Sequence, residues 1–116
     1  MSATRGESLR RLRRLWDDHR RTPFPGTGYG DPRLQELALY ESWLGTIVET
    51  TLAGGRLSAA HRPLLEARRR EGNPGLWTAA AELGGPVRSF LARLIAIEDL
   101  LEALRPPPAD AGPADG

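Results

Sequence analysis

Residues 86–105, PVRSFLARLIAIEDLLEALR, decide the fold class. Val87, Phe90, Leu94, Ile97, Leu101 and Leu104 alternate steps of three and four, the spacing that lines one side of an α-helix. Leu91, Ile95 and Leu100 widen that stripe. The run is shorter than the roughly three heptads of a free-standing coiled coil, so it reads as one helix of a packed bundle.

Downstream, three consecutive prolines at 106–108 stop this helix, and residues 106–116 are rich in Pro, Ala and Gly, the composition of a disordered tail. Upstream, Gly84-Gly85-Pro86 separates it from a short helix that Asn73-Pro74 opens and that runs through Leu83. Ser58 is expected to open another short helix, ending near Glu71 at Gly72. A longer one starts at Asp31-Pro32, where aspartate can cap and proline suits the first turn, and it runs to about Ala53 before Gly54-Gly55. Leu37, Tyr40, Leu44 and Ile47 form its seam, with Leu34, Val48 and Leu52 beside them. The β-branched stretch Thr46–Thr51 lies inside this pattern, so helix is favoured over strand there. The first segment, about Gly6 to Arg21, places Leu9, Leu12, Leu15, Trp16 and His19 on one face. Residues 22–30, TPFPGTGYG, break it and offer Phe24 and Tyr29 as aromatic handles.

The expected fold is all-α: a compact helical bundle of three longer and two shorter helices, with a Pro/Gly-rich connector and a disordered C-terminal tail. Residues 1–105 form a single domain and 106–116 the tail. A chain of 116 residues can bury a modest core without staples. With no cysteine, disulfides, thiolate metal sites and cysteine nucleophiles are excluded. No signal-peptide pattern and no apolar run of about 20 residues occurs, so the protein is expected in the cytoplasm and not in a membrane.

Sixteen basic residues balance 15 acidic ones, for a net charge of +1. Every basic residue is arginine, a bias that GC-rich bacterial coding accounts for along with the many Ala, Gly and Pro. Arg10, Arg11, Arg13, Arg14, Arg20 and Arg21 cluster in the first helix, with Arg10, Arg14 and Arg21 sharing a face. Glu7, Asp17 and Asp18 lie three or four residues from several of them, so mutual pairing on a solvated face is expected. Arg68, Arg69 and Arg70 suit the C-terminal end of their helix. The glycines at 26, 28 and 30 follow no strand and precede no lysine, so they read as a connector rather than a phosphate cradle.

His19 and His61 have no metal-spaced company. Glu98, Asp99 and Glu102 flank the apolar seam of the last helix, where carboxylates commonly make inter-helix ion pairs. No nucleophile elbow, triad or cofactor motif is present, so no catalytic residue, cofactor or metal ligand is assigned. Core packing is expected for Trp16 and Trp77, while Trp43 and Leu39 fall off the main seam of their helix.

The expected function is therefore a non-catalytic helical interaction module that associates with itself or binds another protein partner. Leu39, Trp43, Ile95 and Leu100 are the interface candidates, followed by Phe24 and Tyr29. The alternative is a small nucleic-acid-binding regulator that uses Arg10, Arg14 and Arg21.

Overall fold

The structure, a computed structural model, describes residues 4–25 and 32–104. These form five helices and no strand: α1 (Arg5–Arg20), α2 (Pro32–Gly54), α3 (Arg62–Glu71), α4 (Pro74–Leu83) and α5 (Gly85–Ala103). Tyr29, the glycines at 26, 28 and 30, the Asp31 cap and the tail lie outside the described residues. No helix among those described is long and apolar enough to cross a membrane.

Local chemistry explains most boundaries. α1 opens on a reciprocal cap in which the Glu7 amide donates to Thr4 Oγ1 at 3.0 Å and the Thr4 amide donates to Glu7 Oε1 at 2.9 Å. In α2 the threonine-rich stretch is helical, and Thr46 and Thr50 donate their hydroxyls to carbonyls one turn back. Gly84 sits at φ 105°, a left-handed value that separates α4 from α5 at little steric cost.

Two starts differ from expectation. Ser58 does not open α3: its carbonyl accepts from His61 and Arg62, and its hydroxyl accepts from His61, so it caps a turn and the helix begins at Arg62. α4 begins at Pro74 as expected, but the Asn73 side chain makes no capping bond; its carbonyl accepts from Trp77 instead.

α5 is the element around which the others pack, touching α1, α2 and α4. Its Phe90, Leu91, Leu94, Ile97 and Leu101 are buried against Leu12 and Trp16 of α1, and against Leu37, Leu44, Ile47 and Val48 of α2. α3 contributes one fully buried side chain, Leu65. Just before it, the Leu57 amide donates to the Leu104 carbonyl at the end of α5, at 3.3 Å.

α1 and α2 meet where α2 has no side chain. A Cβ on Gly45 would lie 2.9 Å from Trp16 Cη2 and 3.1 Å from Cζ2, closer than such atoms pack. Gly45→Ala should therefore lower stability by about 1–3 kcal/mol through overpacking, although alanine is the better helix former by about 1 kcal/mol. Gly75→Ala, whose Cβ would meet nothing within 4 Å, should be neutral or stabilising. Urea unfolding of both variants checks this; a Gly45→Ala protein as stable as the parent would show that the indole has room to yield.

A groove between α2 and α3

Tyr40 and Trp43 are one helical turn apart on α2, so both rings project to the same side. Their centroids are 6.2 Å apart with planes inclined by 22°. The Arg68 guanidinium of α3 lies 4.6 Å from the Tyr40 ring centre and 5.8 Å from that of Trp43, within range of cation–π attraction to both. These residues, with Leu76 of α4, line a groove of about 390 Å³. Leu39 on the α2 wall is 69% exposed and Leu64 on the α3 wall is 51% exposed. Glu36 and Glu71 also line it, and neither is ion-paired among the described residues.

Beneath the groove lies a buried polar connection. Glu98 of α5 is only 3% exposed, in the middle of an apolar seam. Tyr40 Oη donates to Glu98 Oε1, and Arg69 Nη1 donates to Glu98 Oε2 at 3.1 Å and to Asp99 Oδ1 at 2.6 Å. Three helices are thus joined by side chains whose alternatives, unpaired inside the protein, would be costly. The hydrogen bond to Asp99 raises the Arg69 pKa above its usual value. Burial, then the Glu98 carboxyl, pushes the Tyr40 phenol far above its usual range. The expected inter-helix ion pairing of Glu98 and Asp99 is thus formed within one chain.

A second cleft, of about 680 Å³, lies between α1 and α2. His19 on its wall is 1% exposed and stacks on Trp16 at 5.5 Å and tilts against Phe90 at 4.7 Å. Its Nε2 lies 2.6 Å from Glu41 Oε2, while Nδ1 is buried with no partner. Neither ring nitrogen is presented to the cleft, and the neighbouring Thr46 and Thr50 hydroxyls are spent on backbone carbonyls. The pair holds α1 on α2.

The interface candidates separate. Leu39 and Trp43 come together in the groove. Ile95 and Leu100 sit on α5, half-buried and packed against the core, and do not line it. Phe24 turns its ring edge-on to Phe90 at 5.2 Å, which pins the start of the connector to α5. Tyr29 lies outside the described residues.

Two groove residues had not been singled out for it from the sequence. Leu64 carries a signal: two adjacent leucines on a helix point about 100° apart, and Leu65 has taken the core position. Arg68 had only a helix-end reading, and its stacking depends on α2. Trp77 departs from the expected core packing and is 43% exposed, because Leu76, Ala79 and Ala80 occupy the buried side of α4.

The pairing expected on α1 also differs. Asp18 pairs with Arg21 at 3.3 Å, Arg20 reaches Glu49 at 3.9 Å, and Glu7 is held by Thr4. Arg10, Arg11, Arg13 and Arg14 are ion-paired with nothing among the described residues.

Tyr40→Phe leaves Glu98 buried with one donor fewer and should cost about 1–3 kcal/mol in denaturant unfolding. The sign of the alkaline effect follows from the same bond. A phenol whose pKa is raised by folding stabilises fully below its unfolded pKa, near 10, and that contribution is lost as pH rises further. Above about pH 10 the parent protein should lose stability more steeply than Tyr40→Phe, and the tyrosinate absorbance that the parent has in excess of the variant, which retains Tyr29, should develop only on unfolding. Absorbance titration near the tyrosinate band, on both proteins, reads this out; a folded parent that gains twice the variant's tyrosinate signal at about pH 10 would show Tyr40 to be free.

Compared with models of protein families, with curated proteins and with solved structures, the chain matches none.

Proposed function

We propose that this chain is a non-catalytic, self-associating interaction module, a helical bundle whose α2–α3 groove receives a second copy of the protein. The observation that carries this reading is the pair Leu39 and Leu64, two large apolar side chains left exposed on facing walls of one groove. Large apolar side chains in contiguous exposed patches favour contact with another surface. The floor supplies Trp43, Tyr40 and Arg68, the residue types that most often carry binding energy at interfaces.

The charges fit a copy of the same surface. The groove holds two carboxylates, Glu36 and Glu71, with no ion pair among the described residues, and one arginine, Arg68, whose guanidinium rests on Tyr40 and Trp43. A two-fold interface sets each patch against itself, so an acid on one copy can meet the guanidinium of the other.

Light scattering after size exclusion, over a range of concentrations, should give about twice the 12.7 kDa chain mass. Leu39→Asp combined with Leu64→Asp should return it to the single-chain mass with its helical circular dichroism unchanged, since both side chains are exposed. A parent protein that remains a monomer at every concentration would reject self-association.

A further inference from the structure

We infer that the solvent face of α1 is a sequence-independent binding surface for the phosphate backbone of duplex nucleic acid. This goes beyond the groove, with which α1 shares no lining residue.

Residues 5–14 carry five arginines against one glutamate, a net +4 on a chain whose total is +1. The remaining residues are therefore net −3, and the positive charge is concentrated on about 15 Å of helix. Phosphate binding is favoured where such charge outnumbers the acids beside it and is not tied up in ion pairs. Glu7, the acid nearest these arginines in sequence, gives one carboxylate oxygen to the Thr4 amide and attracts Arg10 and Arg11 without a direct ion pair, and Asp18 turns to Arg21. Arg10, Arg11, Arg13 and Arg14 are exposed and are ion-paired with no acid among the described residues. Arg10, Arg11 and Arg14 converge on one shallow depression of about 280 Å³, lined also by Ser8 and by Glu7, so that three guanidinium groups there face a single carboxylate.

The chemistry of the face selects the partner. Guanidinium forks match phosphate oxygens two at a time and are weakly hydrated, so they give up water readily. An anionic membrane would in addition need apolar side chains to insert, and the large exposed hydrophobics, Phe24, Leu39, Leu64 and Trp77, all lie outside α1. The apolar side of α1, with Leu12 and Trp16, is sealed in the core. Contact is with the phosphate backbone, which carries no sequence information, so two unrelated duplexes are equivalent partners.

The test is fluorescence anisotropy of a labelled duplex of about 20 base pairs titrated with the full chain across a salt series. If four phosphates are neutralised, affinity should fall about a hundredfold between about 50 and about 200 mM salt, and two unrelated duplexes should bind alike. Replacing Arg10, Arg11 and Arg14 together by glutamine should weaken binding at low salt by at least about tenfold and flatten the salt slope by nearly three. Glutamine keeps the helix and the positions are exposed, so circular dichroism should not change. A control carrying Arg56→Gln, Arg70→Gln and Arg88→Gln loses the same charge away from α1 and should bind like the parent. No duplex binding at low salt would overturn the proposal. So would equal weakening by the control, or binding to phosphatidylserine vesicles in place of the duplex.

Discussion

Glu98 is a carboxylate placed inside the apolar seam of the central helix, and the positions of three helices follow from what satisfies it. Taking such a charge out of water costs several kcal/mol unless donors replace the lost hydration. Tyr40 of α2 and Arg69 of α3 are those donors. For α2 the bond adds to a long apolar contact with α5. For α3 it matters more, because that helix buries little beyond Leu65. Fixing Arg69 against α5 also fixes the adjoining Arg68, turned about 100° around the helix, so that its guanidinium rests on Tyr40 and Trp43. The groove is therefore a by-product of satisfying one buried acid: its walls stand where Arg69 and Tyr40 hold them.

Much of this architecture is legible in the chain because it is written in short-range chemistry. The three-and-four spacing of α5 and the Pro and Gly punctuation around α4 locate elements without knowledge of their neighbours. The failures are of a different kind. Ser58 has the right side chain to start a helix, but the same hydroxyl can close a single turn, and local sequence does not distinguish the two. The run Arg68–Arg70 does stand in the last turn of α3, as its sequence indicates, but that position does not reveal that Arg68 and Arg69 reach partners about 30 residues away on either side. On α1 the spacing of acids and arginines permits pairing, yet exposed pairs are worth only a few tenths of a kcal/mol and yield easily to a cap such as Thr4–Glu7. Of the groove, Leu39 and Trp43 are visible as residues off the main seam. Its other wall, Leu64 and Arg68, depends on where α3 docks, which no periodicity in ten residues specifies.

The two surfaces also have a physical relation. α1 is joined to α2 through Trp16 over Gly45 and through His19 against Glu41, and the groove lies on the part of α2 that faces α3 and α4. Pairing two copies through the groove would leave both α1 faces uncovered. Each would then act at a high effective concentration once the other was bound, so that modest backbone contacts would add up to useful avidity.

The three tryptophans stand in three different environments, which gives the molecule built-in optical reporters. Trp16 is nearly sealed where α1 crosses α2, Trp43 lies in the groove beside Tyr40 and a guanidinium, and Trp77 is open to water on α4. Exposure alone should make emission from Trp77 red and readily quenched by small solutes, and that of Trp16 bluer and shielded. A change confined to the groove therefore alters Trp43 alone, and intrinsic fluorescence can separate events at that surface from loosening of the fold without any added label.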